Sequence, residues 1–157
     1  MSSLLVGILT CSNECASGDA ADEFGRAAIE ACAERGFDVV AYHVCPEDIE
    51  CIESSLIEMC DVDEAHVVLT LGGTGLRATD VMPEATASIA VRELPGVMEA
   101  LRAALSGDSR MMLSRGLAVQ RGRTLVINLP ATEGPSGESI DWILDRLGEI
   151  RAELDTV

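Results

Sequence analysis

Residues 67–86, VVLTLGGTGLRATDVMPEAT, pass from an apolar run through Gly72, Gly73, Thr74 and Gly75 to an arginine, an aspartate and a proline. Glycine adopts positive φ without steric cost and lets another molecule approach the main chain, so consecutive N–H groups of such a loop can surround an anion. This chain has particular need of that device. Its 11 basic residues are all arginine, set against 27 acidic ones, for a formal net charge of −16. Without lysine there is no Walker P-loop amine and no Schiff-base chemistry. Duplex nucleic acid, which requires a basic footprint, is not expected as a partner.

The same loop contains a decoy. GTGLRA, on Gly73, Gly75 and Ala78, satisfies the dinucleotide pattern G-x-G-x-x-A. That pattern belongs to a first β-α unit and runs straight into a helix, whereas here Asp80 and Pro83 intervene. A plain structural turn is the competing explanation. Cys11, Cys15, Cys32, Cys45, Cys51 and Cys60 include no C-x-x-C pair and share no zinc-type spacing with a histidine. They read as small hydrophobes of a reducing compartment, and the isolated His43 and His66 read as core positions.

Positioning these residues falls to alternating elements. LLVGILT is apolar enough to be a buried strand, and FDVVAYHV and HVVLTL read as the second and third strands. Helices are expected from about Asp19 to Arg35, ending at Gly36, and from about Asp48 to Cys60, with Ile49, Ile52, Leu56 and Met59 on one stripe. PEATASIAVRE and PGVMEALRAALS read as helices opened by prolines, RTLVINLP as another strand after GLAVQRG, and about Ser139 to Leu154 as a last helix. Successive β-α units imply a parallel sheet with right-handed crossovers and a ligand crevice beyond the carboxyl ends of its strands. TCSNECASGDAAD, CPED and GGTGLRATD should therefore meet on one edge.

The 157 residues suit one domain, residues 1–157. Although 48% of them are hydrophobic, no apolar run approaches the ~18 residues of a membrane span. MSSLLVGILTCS is too short and uncharged for a signal peptide, so the expected location is the cytoplasm, with no membrane partner.

LTLGGTGLRATDVMPEAT resembles the signature of the MoaB/Mog family, molybdopterin-binding proteins of molybdenum cofactor synthesis, which reads T-G-G-T-G, a few residues, then D-V-T-P-E-A. The likeness continues in SNECASGDAADEFG, which follows S-D-x-x-x-x-G-x-x-x-D-x-S-G, in MLSRGLAVQRGRTLVINLP, and more loosely in ELPGVMEALR. It implies an α/β fold, a three-layer α/β/α sandwich with a mostly parallel sheet, assembled as a homo-oligomer (trimer or hexamer). It further implies binding of molybdopterin and, in catalytic members, transfer of AMP from ATP to it with Mg²⁺, and a molybdenum insertase as partner.

Carried over residue by residue, the resemblance makes Asp80 and Glu47 the catalytic, metal-holding carboxylates, with Asp48 as the adjacent alternative. Ligand contacts fall on Gly72, Gly73, Thr74, Gly75, Ser114, Arg115, Asn13 and Pro130. As a loop residue of a solvent-facing crevice, Asp80 should matter little to the core.

This chain also departs from the family. PED stands where catalytic relatives read P-D-[DE], Asn13 where aspartate is common, and Phe24 and Arg26 flank Gly25 in place of S-G-P. LPATEGPSGES lacks the lysine of L-P-G-S-P-K, whose charge Arg115 or Arg77 would have to replace. Adjacent residues of an extended segment point in opposite directions, so Glu47 and Asp48 cannot both face a metal. Pro46, through its fixed φ, favours Glu47, and Asp48 is otherwise a helix N-cap. Two functional readings follow: an adenylyltransferase, or a non-catalytic molybdopterin-binding carrier or assembly protein.

Overall fold

The computed structural model describes residues 3–130 and 135–157. Its strands are β1 (Leu5–Cys11), β2 (Asp38–Cys45), β3 (Val67–Leu71), β4 (Arg92–Glu93), β5 (Ala118–Arg121) and β6 (Thr124–Leu129). They form one sheet in the order β2-β1-β3-β6-β5-β4. β2, β1, β3 and β6 run parallel, as the apolar runs imply. The sheet is not parallel throughout, because β5 pairs antiparallel with β6, and β4 with β5. The β5–β6 hairpin turns at Gly122, whose φ of 55° suits a tight turn and is unfavourable for most other residues.

Alternating side chains send two sets of hydrophobes to opposite faces of the sheet. Val6, Ile8, Val67, Leu69, Ile127 and Leu129 pack in one cluster with residues of α2 (Glu23–Glu34), α5 (Pro95–Ala104), α6 (Pro135–Glu149) and α7 (Arg151–Leu154). Leu9, Val68, Val119 and Val126 pack with α3 (Ile49–Ile57), its π-helical continuation Glu58–Val62, and α4 (Met82–Ile89). Helices thus cover both faces, and the three-layer α/β/α arrangement is the one the chain forms. β3 and β6 are buried along their whole length, as strands covered on both faces must be.

Several element boundaries differ from expectation for local reasons. The helix expected from Asp19 begins only at Glu23, after Asp22, whose side chain accepts the Gly25 N–H. The stretch before it, expected as a loop, contains a short α1 (Asn13–Ser17) that stops at Gly18, which takes φ 85°. The helix expected over PEATASIAVRE ends at Ile89, where the chain leaves to form β4. The last helix starts earlier than Ser139, at Pro135, and breaks between Glu149 and Arg151.

His66 joins β1 to the segment before β3. Its Nδ1 accepts the Leu5 N–H at 2.9 Å, so the ring is neutral with its proton on Nε2. Burial, seconded by the Arg151 charge, holds its pKa below the ordinary 6.5. A folded-state pKa below the unfolded value means that the unfolded chain takes up the proton first as pH falls. This contribution to stability is complete above about pH 6.5 and is lost as pH falls through the folded-state pKa. The thermal midpoint should therefore drop on going from about pH 7.5 to about pH 5, and drop less in His66→Asn, whose amide oxygen accepts without titrating. Equal drops in both proteins would mean that other groups set the acid sensitivity.

Candidate functional site

The carboxyl ends of β1 and β3, with the loop after β2, open into one cleft of about 550 Å³. Thr10, Cys11 and Ser12 line it from the end of β1, Glu47 from the loop after β2, Gly72 to Arg77 and Asp80 from the loop after β3, and Pro130 from the end of β6. Met111, Leu113 and Ser114 form another wall, and Asp22 and Phe24, at the start of α2, another. The three loops expected on one edge do meet.

The glycine loop is held by its carbonyls and leaves its amides unspent. Gly72 and Gly73 take φ of 95° and 70°, a region that favours glycine. Gly72 donates its N–H to the Leu129 carbonyl at 3.1 Å, which ties the loop to β6. The Gly73 carbonyl accepts from Met82 N–H (3.1 Å), that of Thr74 from Arg115 N–H (2.8 Å), and that of Gly75 from Arg115 Nε (2.8 Å). The N–H groups of Gly73, Thr74 and Gly75 make no hydrogen bond among the described residues. Three consecutive unpaired donors in a cleft wall are what an anion cradle needs. Gly75 also has no room for a side chain, since a Cβ there would lie 2.8 Å from Asp80 Oδ2.

Asp80 is 6% exposed, so the expectation of a solvent-facing carboxylate is corrected. The loop folds back on it: Oδ2 accepts the Arg77 N–H at 3.0 Å, and Arg115 Nη2 donates to the Asp80 carbonyl at 2.7 Å. Its other oxygen, Oδ1, accepts from Arg77 Nη2 at 3.3 Å, and Glu47 Oε1 accepts from that same nitrogen at 3.1 Å. Residues 33 positions apart in sequence therefore bring one oxygen each to one cationic nitrogen. The neighbouring Asp80 and Glu47 carboxylates raise the Arg77 pKa above its already high ordinary value and keep it charged. The Arg77 side chain is nonetheless 72% exposed and can leave.

The other residues singled out from the sequence divide by what they touch. Ser114 and Pro130 line the cleft. Asn13 is outside its wall and grips Glu47 from behind, accepting the Glu47 N–H at 2.8 Å and donating Nδ2 to Oε2 at 3.1 Å. Arg115 is also behind the wall, held by Glu84 as well as by the loop carbonyls. Asp48 turns away and caps α3, accepting the Cys51 N–H at 2.9 Å. Within LPATEGPSGES, residues 131–134 lie outside the described residues.

Some participants are not evident from the sequence. Asp22, 8% exposed, accepts from Gly25 N–H at 3.0 Å and from the Tyr42 hydroxyl, and a side chain at position 25 would collide with it. Burial and that bonded carboxylate push the Tyr42 phenol well above its usual range. The buried Thr10 Oγ1 beside it has no partner among the described residues. Asp22 and Gly25 do match the D-x-S-G end of the S-D-x-x-x-x-G-x-x-x-D-x-S-G likeness and an N-cap spacing, but neither signal points to Tyr42 or Thr10. Cys11 also faces the cleft, but burial, reinforced by Glu47, pushes its thiol up to about 12, so it is no thiolate at neutral pH.

Among the described residues, Glu14, Asp22, Glu23, Glu47 and Asp80 line the cleft against only Arg77 and Arg110. An anionic ligand would need a cation to accompany it. No group of three or more His, Cys, Asp or Glu side chains among the described residues could hold a metal ion by itself. A divalent cation would thus take two carboxylates from the protein and complete its shell from ligand and water, the habit of Mg²⁺.

Comparison with known proteins identifies the family. The family described as "Probable molybdopterin binding domain" matches residues 7–149. The molybdopterin adenylyltransferase of Helicobacter pylori (strain J99) is 35% identical over 133 residues, covering 83% of this chain and 76% of that one. That of Escherichia coli (strain K12) is 32% identical over 154 residues, covering 96% and 78%. The crystal structure of the molybdopterin biosynthesis enzyme MoaB from Thermus thermophilus superposes with a TM-score of 0.87 at 36% identity, covering 98% of each chain. With the matched region spanning the cleft and nearly the whole sheet, the chain belongs to the MoaB/Mog family of molybdopterin-binding domains.

Proposed function

We propose that the protein is a molybdopterin adenylyltransferase, which transfers AMP from ATP to the terminal phosphate of molybdopterin and releases pyrophosphate. One observation carries this reading: Asp80 and Glu47 converge on a single cationic nitrogen beside three unspent backbone amides. The names of the Helicobacter pylori and Escherichia coli relatives support it.

The residues fit Mg²⁺, because the point shared by the two carboxylates already attracts a cation and the donor set is hard oxygen. Asp80 and Glu47 would hold it there, where it would neutralise charge on the phosphates. The chain's own residues do the rest. The amides of Gly73, Thr74 and Gly75 bind phosphate oxygens and orient the α-phosphorus toward the attacking phosphate. Arg77, displaced from between the carboxylates, follows on its exposed side chain to a phosphate oxygen and offsets the charge of the departing pyrophosphate. Asn13 keeps Glu47 aimed inward, and Arg115 keeps the glycine loop from collapsing into its own carbonyls.

We infer from the family resemblance that the protein acts in the cytoplasm, as a homotrimer whose product passes to a molybdenum insertase. No helix among the described residues is long and apolar enough to cross a membrane. Incubation with molybdopterin, ATP and Mg²⁺ should yield adenylylated pterin and pyrophosphate in equal amounts. Tight pterin binding with no pyrophosphate would make the protein a carrier. Light scattering should give three times the chain mass at micromolar concentration, and a monomer mass would remove the trimer.

A further inference from the structure

Two cysteines bracket the turn that carries Glu47, and the reaction proposed above uses neither. Cys45 ends β2 and is 2% exposed, whereas Cys51, in the first turn of α3, is half-buried. Their Sγ atoms are 3.2 Å apart, and Cys45 Sγ lies a further 3.2 Å from Ser55 Oγ. Among the described residues no other pair of thiols is joined by a hydrogen bond.

We propose that Cys45 and Cys51 are a modification site, a dithiol that hydrogen peroxide closes to a disulfide, bracing the Pro46–Asp48 turn and shifting Glu47. Both sulfurs already sit near bonding position, since a disulfide needs about 2.05 Å and the gap of 3.2 Å is closed by a movement of roughly half an ångström from each side. Cys51 meets the oxidant first, being half-buried where Cys45 is almost fully enclosed. Cys51 Sγ attacks one peroxide oxygen; an S–O bond forms, the O–O bond breaks and water leaves. Cys45 Sγ then attacks the sulfenic sulfur of Cys51; the S–S bond forms, the S–O bond breaks, and the Cys45 proton departs with hydroxide as a second water. Two thiols have lost two electrons and two protons, and one peroxide has become two waters. Reducing conditions hold the pair open, so closure reports oxidant. A tightened turn shifts the Glu47 backbone between its two ends, drawing the carboxylate out of its bonds to Asn13 and Arg77 and so moving it relative to Asp80.

The bond itself does not depend on the proposed activity and is read without substrate. The reduced full chain, treated with hydrogen peroxide at neutral pH, should become two hydrogens lighter by intact mass. A Glu-specific protease cuts at Glu47 and Glu50, between the two cysteines, so non-reducing digestion should leave the Cys45 and Cys51 peptides joined until dithiothreitol separates them. Cys51→Ser and Cys51→Ala, half-exposed changes that spare the core, should show no loss of two hydrogens. Cys51 carried only to sulfinic acid, a link through Cys11, or no oxidation would overturn the dithiol. In the transfer assay, the oxidised wild type should lose tenfold or more, recover with dithiothreitol, and differ from a peroxide-insensitive Cys51→Ser. Unchanged transfer by the oxidised protein would overturn the shift of Glu47. A chain inactive even when reduced would instead count against adenylyl transfer and leave the mass result standing.

Discussion

Asp80→Asn is expected to lower adenylyl transfer by roughly 10²–10³-fold while leaving a folded protein. The substitution keeps an oxygen to accept the Arg77 N–H but removes the charge that Glu47 and Asp80 jointly present to a cation. Losing one electrostatic partner of the reacting phosphates costs roughly 10²–10³-fold in turnover. The stability change should be about 1 kcal/mol, because a buried carboxylate bonded to a backbone N–H is exchanged for a neutral amide of the same shape. Calorimetry together with pyrophosphate release separates the two effects. If the variant were folded and fully active, Asp80 would hold the loop and nothing more. Direct titration with Mn²⁺ in the presence of a non-hydrolysable ATP analogue gives a second readout, which should weaken in parallel.

The second large effect concerns the neighbouring pair Glu47 and Asp48, whose roles the structure separates. Glu47 shares the Arg77 nitrogen with Asp80, whereas Asp48 spends its carboxylate on the first turn of α3. Glu47→Gln should lower transfer about 10²-fold with little change in stability, as expected when one holder of the cation that offsets the phosphate charge is lost. Glu47→Asp restores the aspartate usual in catalytic relatives and should keep turnover within a few-fold of the parent or raise it. Asp48→Ala should do the reverse: about 1 kcal/mol less stability from the lost cap, and turnover nearly unchanged. Equal loss of transfer in Glu47→Gln and Asp48→Ala would show that both carboxylates serve the reaction and that the one-ligand geometry is wrong.

Arg77 links these two experiments. Its guanidinium sits where a metal ion would have to sit, so the protein without ligand balances its own buried negative charge. A charge on a flexible, exposed stem can be exchanged for a divalent ion without leaving carboxylates unpaired at any stage. In a cleft with so many acidic groups, and on the proposed reaction, this would keep the empty site stable and delay metal binding until phosphates arrive to share the ion.

Much of this was determined by the sequence alone. Continuous apolar runs such as VVLTL and TLVINL cannot face water on either side, so they had to become central strands covered by helices on both faces. Gly72 and Gly73 required a loop of positive φ directly after such a strand, and Asp80 lay within reach of it. The absence of lysine made backbone amides the natural anion donors. What local pattern could not reach was every feature that depends on long-range pairing. The antiparallel β4–β5–β6 edge follows from where the chain can return to the sheet, not from the period of its side chains. Asp80 is buried because Arg115, 35 residues on, clamps its carbonyl. Asn13 serves Glu47 across 34 residues, and Asp48, its chemical equal and immediate neighbour, is turned away by one helix cap. A titratable residue's type is written in the sequence, but its partner, burial and direction are set by segments distant along the chain, and only the tertiary structure decided which carboxylates share a cation.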